Sequence, residues 1–86
     1  MSWYVYMLRC RDGSLYTGYT DDVQRRLQVH NSGKGSKYTR SRTPVEVVYS
    51  EEVESHSAAL KREYAIKQLT RQQKIILIED NKCPVQ

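Results

Sequence analysis

Apolar and aromatic residues follow two rhythms along this chain, and the switches between them mark out the elements. Trp3-Tyr4-Val5-Tyr6-Met7-Leu8-Arg9 is rich in β-branched and aromatic residues and predicts a strand. Asp12-Gly13 predicts a tight turn, and Leu15-Tyr16-Thr17-Gly18-Tyr19 the returning strand. Two registers compete. A two-residue loop at Asp12-Gly13 sets Tyr6 and Tyr16 on opposite faces of the hairpin. A three-residue loop, Arg11-Asp12-Gly13 with Gly13 left-handed, pairs Leu8 with Tyr16 and Tyr6 with Gly18. It gathers Tyr4, Tyr6, Leu8, Tyr16 and Gly18 on one face. The second is preferred, because Gly18 then leaves space opposite the Tyr6 ring.

Beyond the hairpin the rhythm becomes helical. Thr20 or Asp21 is placed to cap a helix ending near His30, with Asn31-Ser32-Gly33 as its stop. Residues 33–44 predict a basic loop, and Val45-Glu46-Val47-Val48-Tyr49 a third strand. Ser55 or Ser57 caps a second helix ending near Leu69. Thr70-Arg71-Gln72-Gln73 is a capping box opening a short third helix to about Ile78. The order ββαβαα implies an α+β fold in the broad α/β class: a three-stranded, mostly antiparallel sheet flanked by helices. One domain is expected over residues 1–79, with 80–86 as a frayed C-terminal tail.

The charge pattern adds a partner to this picture. The net charge is only +4, but it is segregated. Asp21 to Pro44 carries Arg25, Arg26, Lys34, Lys37, Arg40 and Arg42 against two acids, and Val45 to Glu54 carries four acids and no base. Such segregation reads either as an ordinary solvated surface or as a positive face for a polyanion. The loop bases Lys34, Lys37, Arg40 and Arg42 alternate with Gly, Ser, Thr and Tyr38, which suits phosphate contacts without forming a Walker loop. No apolar run nears the roughly 20 residues of a membrane span, and no signal-peptide pattern opens the chain. The expectation is a cytoplasmic protein that does not enter a membrane, with Cys10 and Cys83 as free thiols.

Three features could carry chemistry. Asp22, Arg26 and His30 stand four apart, so they share a helix side. They read either as a surface ion pair beside an exposed histidine or as a phosphate clamp beside a proton relay. Glu63 has Ala59, Leu60, Ile66 and Lys67 as helical neighbours. It is either a Glu63–Lys67 pair or a shielded carboxylate awaiting a cation, for which Mg²⁺ fits better than zinc. Seven tyrosines and no phenylalanine suggest that several hydroxyls are used.

Taken together, these residues resemble the GIY-YIG nuclease family, in its short stand-alone bacterial branch. Tyr4-Val5-Tyr6 matches the first motif and Tyr16-Thr17-Gly18 the second; Arg26, His30 and Glu63 follow at family-like positions. Tyr4 stands where the family name has glycine, and the DNA-binding domain that relatives append is missing. Asn81 is a poor match to the amide residue some relatives carry. The resemblance implies a metal-dependent endonuclease hydrolysing DNA, with branched or damaged DNA as candidate substrates and RNA left open. Glu63 would hold Mg²⁺ or Mn²⁺, Arg26 would neutralise the phosphate, and Tyr16, or Tyr6 with His30, would take the proton from water. A monomer is expected, with a protein partner as one source of specificity. The alternatives are a non-catalytic nucleic-acid binder and a partner-recruited interaction module.

Overall fold

The computed structural model describes residues 2–82. The elements run β1 (Trp3–Arg9), β2 (Leu15–Thr20), α1 (Val23–Asn31), α2 (Lys37–Arg40), β3 (Glu46–Val53), α3 (His56–Lys67) and α4 (Arg71–Lys82). All pairings are antiparallel, in the order β2-β1-β3. This is the expected sheet and helix order, with one extra helical turn, α2, inside the stretch expected to be a loop. Ser36 caps that turn, its hydroxyl accepting from the Thr39 amide at 3.2 Å.

β1 is central and buried on both faces, so it reads as a nearly continuous apolar run. Val5 and Met7 face a layer made with Ala59 and Ile66 of α3 and Ile78 of α4. Tyr6 and Leu8 face the other layer, with Cys10, Val45 and, partly buried, Leu27 of α1. The hairpin takes the three-residue loop. Cys10 N–H donates to Ser14 C=O at 2.9 Å, Gly13 has φ +87°, and Tyr6 pairs with Gly18 and Leu8 with Tyr16.

Three boundaries and the alternation of one strand differ from expectation. The α1 cap is Asp22, which accepts from the Arg25 amide at 3.1 Å; Thr20 instead completes β2 opposite Tyr4, and its hydroxyl accepts from the Asp22 amide at 3.1 Å. β3 continues past Tyr49 to Val53. Its polar end is tolerated because this is an edge strand and Arg62 of α3 pairs with Glu51 at 3.0 Å. α4 starts at the expected box, with Thr70 N–H donating to the Gln73 side chain at 2.9 Å and Gln73 N–H to the Thr70 hydroxyl at 3.1 Å, but it extends to Lys82. Glu79–Lys82 are therefore helical, while the rest of the expected tail, Cys83 included, lies outside the described residues. Finally, β3 carries a bulge: Met7 pairs with Tyr49 but Leu8 with Val47, leaving Val48 extra. Strict alternation would put Val45, Val47 and Tyr49 on one face. The bulge sends Tyr49 into the Val5 layer while Val45 stays with Leu8.

No helix among the described residues is long and apolar enough to cross a membrane.

Gly18 is where this packing meets the site. A Cβ there would lie 2.7 Å from the Tyr6 hydroxyl oxygen and 2.9 Å from its ring carbon Cζ. Gly18→Ala should therefore destabilise the fold by about 1–3 kcal/mol through overpacking, read from the urea midpoint. An unchanged midpoint would mean that the Tyr6 ring is free to shift.

Candidate active site

A cleft of about 500 Å³ opens at the free edge of β2, with Tyr6, Tyr16, Gly18, Arg26 and Glu63 in its lining. The two helices reach it from opposite faces of the sheet: α1 packs on the Tyr6 layer and α3 on the Val5 layer. Because β2 is an edge strand, Arg26 and Glu63 can meet around it.

His30 is not in the lining. It lies behind Tyr6, with no solvent exposure, and both ring nitrogens are engaged. Nε2 is 3.0 Å from the Tyr6 hydroxyl and Nδ1 is 2.8 Å from the Thr39 hydroxyl. The Thr39 hydroxyl has the Ser36 carbonyl to donate to at 3.4 Å, which leaves its lone pair to accept from Nδ1–H. On that assignment Nε2 is the acceptor and the Tyr6 hydroxyl donates to it. Burial, then the Arg26 charge, lowers the His30 pKa from 6.5, so the ring is neutral at pH 7. The Tyr6 hydroxyl is pushed up to about 12 by burial and then by neighbouring Tyr16, against the pull of the Arg26 guanidinium. It stays protonated at neutral pH.

The clamp on His30 comes from residues that the sequence did not mark. Thr39 is fully buried, and a Cβ on Gly35 would fall 2.2 Å from His30 Nδ1. Only glycine lets the connection after α1 close over the ring. The stretch expected to be a phosphate loop is thus partly structural. Lys34, Lys37 and Arg40 are exposed, but Arg42 is committed: Nε donates to Asp12 at 3.0 Å, NH1 donates to the Tyr38 carbonyl at 2.7 Å, and the guanidinium lies 4.2 Å from the centre of the Tyr38 ring.

The charged groups of the cleft also depart from the simplest pairing. Asp22 does not pair with Arg26: it caps α1, and Arg25 takes Asp21 at 3.0 Å. Arg26 has no acidic partner among the described residues. Glu63 has 17% of its side chain exposed and meets Lys67 Nζ at 3.2 Å. Ala59 and Ile66 flank it as buried neighbours, whereas Leu60 faces out with 42% exposure, so Glu63 borders the buried stripe instead of lying within it. Glu63 thus forms the helix pair with Lys67 and also lines the cleft. Among the described residues no three His, Cys, Asp or Glu side chains cluster as a metal cage. The donor set suits a hard ion that keeps most of its water shell. Tyr16 completes the wall, edge-on to His30 with ring centres 5.2 Å apart and stacked on Tyr38 at 6.0 Å.

Comparison with known proteins places this arrangement. The family model for the GIY-YIG catalytic domain matches residues 2–75. A UPF0213 protein of Staphylococcus haemolyticus is 54% identical over 77 residues, covering 90% of this chain and 94% of its own. One from Staphylococcus epidermidis is 57% identical with the same coverage. The solution structure of a UPF0213 protein from Bacillus halodurans superposes with a TM-score of 0.63 at 48% identity, over 98% of this chain and 89% of that one. With a matching family model, close relatives over most of its length and the fold in common, this chain belongs to the GIY-YIG family.

Proposed function

We propose that this chain is a divalent-metal-dependent endonuclease that hydrolyses phosphodiester bonds in DNA. The observation that carries the proposal is one cleft holding an unpaired guanidinium, a shielded carboxylate and two phenols, one of them bonded to a buried neutral imidazole. Membership of a family defined by a catalytic domain supports it. Arg26 binds a non-bridging oxygen of the scissile phosphate and neutralises charge as phosphorus becomes five-coordinate. The Tyr6 oxygen accepts a proton from the attacking water while its own proton passes to Nε2 of His30, a relay that needs no phenolate. Thr39 holds the tautomer that leaves Nε2 free to accept. Tyr16, on the same wall, orients the water. Glu63 would hold Mg²⁺ or Mn²⁺, whose positive charge would offset the charge that builds up as the 3′ oxygen departs. Exposed Lys34, Lys37 and Arg40 add contacts to flanking phosphates.

A second reading, a binding module without turnover, is favoured by one observation: Lys67 already neutralises Glu63. Two variants separate the readings. Glu63→Gln should lower Mg²⁺-dependent cleavage by about a hundredfold or more while metal-free DNA binding persists. Arg26→Ala should lower cleavage to a similar degree and weaken binding too. Cleavage by Glu63→Gln at the parent's rate would remove the nuclease assignment. Unfolding of that variant would make Glu63 a structural partner of Lys67. The pH profile tests the relay. Because the His30 pKa is lowered from 6.5, kcat/KM should rise with pH along an acid limb centred below 6.5, where the imidazole loses its proton. A limb centred above 7 would exclude His30 as the acceptor.

A further inference from the structure

Next to the cleft, and sharing Tyr16 with it, a groove of about 260 Å³ is lined by Leu15, Tyr16, Thr17, Tyr38, Lys67 and Lys74. A smaller depression of about 200 Å³ continues it past Ser14, Leu15, Tyr38, Arg71 and Lys74. We propose that this groove seats an unpaired nucleotide flanking the scissile phosphate, its base against Tyr38 and its phosphates on Lys67, Arg71 and Lys74. The inference rests on the nuclease reading and narrows the substrate to nucleic acid whose strands part beside the cut.

Three independent observations support it. First, Tyr38 keeps 39% exposure although it is firmly held: its ring stacks on Tyr16 at an interplanar angle of 26° and carries the Arg42 guanidinium 4.2 Å from its centre. Arg42 takes one face of the ring, and the exposed remainder, flanked by cations, is what a base of any identity can lie against, because every base has a π-face. Second, the charges are of one sign. Lys67, Arg71 and Lys74 come from the end of α3 and the start of α4, and neither groove nor depression has an acid in its lining. Arg71 and Lys74 have no acidic partner among the described residues, and Lys67 has only Glu63. Third, Thr17 lies in the groove lining with a buried hydroxyl that has no hydrogen-bond partner among the described residues. A solvated surface built only for packing would not leave that group unmatched.

The geometry selects an unpaired base over a duplex. The groove that Tyr38 lines is much smaller than the main cleft, and within a duplex the faces of the bases are already covered by their neighbours. Tyr16 belongs to both openings, so a strand entering the groove passes directly to the wall carrying Tyr6 and Arg26.

The test uses the full chain in EDTA, so that binding is read without cleavage. The probes are a short single-stranded oligonucleotide carrying one 2-aminopurine and a blunt duplex of matching sequence. Tyr38→Leu should weaken single-strand binding roughly tenfold and abolish the 2-aminopurine quench, with little effect on the duplex. Tyr38→Phe should keep both affinity and quench. The double variant Arg71→Ala/Lys74→Ala, at exposed or half-buried positions, should flatten the plot of log K against log salt by about 0.7 per lost single-strand contact. An unchanged quench in Tyr38→Leu, equal losses in the Leu and Phe variants, or equal losses on both probes would overturn the assignment. If Tyr38→Leu does not fold, the salt slope of the double variant decides, and an unchanged slope overturns it. Loss of cleavage in Glu63→Gln with no effect of Tyr38→Leu leaves the nuclease standing and removes only this groove. The reverse pattern keeps a single-strand site and removes the nuclease.

Discussion

A histidine with no solvent exposure must find protein partners for both ring nitrogens, since an unmatched polar group in a dry site costs on the order of a few kcal/mol. His30 takes one partner from β1 and the other from α2, so one imidazole holds together three parts of the chain that are distant in sequence. Tyr6 sits where it does because Gly18 makes room on the neighbouring strand and His30 receives its hydroxyl. Thr39 is fixed through Ser36, and the turn it belongs to presents Tyr38 to Tyr16. The positions of Tyr6, Tyr16 and Tyr38 follow from how that one ring is satisfied.

The same burial settles the division of labour between two groups that share a hydrogen bond. Desolvation moves them in opposite directions, holding the phenol protonated and the imidazole unprotonated. A proton can then travel from phenol to imidazole without either group starting in a charged, poorly solvated state. Arg26 reinforces the shift of His30, opposes that of Tyr6 and remains open to an anion, so phosphate arriving at the guanidinium would act on the relay as well as being held by it.

How much of this could be read from the residues depended on the range of the interactions involved. The hairpin register was legible, because Gly13 and Gly18 act locally and together admit one good solution. The capping boxes were legible for the same reason, and the wrong α1 cap was an error among three adjacent residues that can all accept a hydrogen bond. Arg26 and Glu63 were marked by helical spacing and neighbours and Tyr6 and Tyr16 by the family resemblance; these four line one cleft, while His30, expected with them, lies buried behind Tyr6. What could not be read was the distant partner in each long-range contact. Nothing near Thr39 or Gly35 announces His30, the Val48 bulge turns Tyr49 against its alternation, and Lys67, Arg71 and Lys74 meet Tyr38 only because α3 and α4 fold back onto β2.

β3, the strand farthest from the cleft, carries Glu46, Glu51 and Glu52, while the bases collect around β2 at the opposite side of the sheet. Such acids discourage edge-to-edge pairing with another chain. Arg9 and Arg62 pair with Glu46 and Glu51, so this edge is less positive than the β2 side but not strongly negative. In the field of a polyanion, a body attracted more on one side than on the other experiences a torque before contact, and it turns its cleft toward the backbone while still diffusing. A domain this small would spend fewer of its encounters in the wrong orientation.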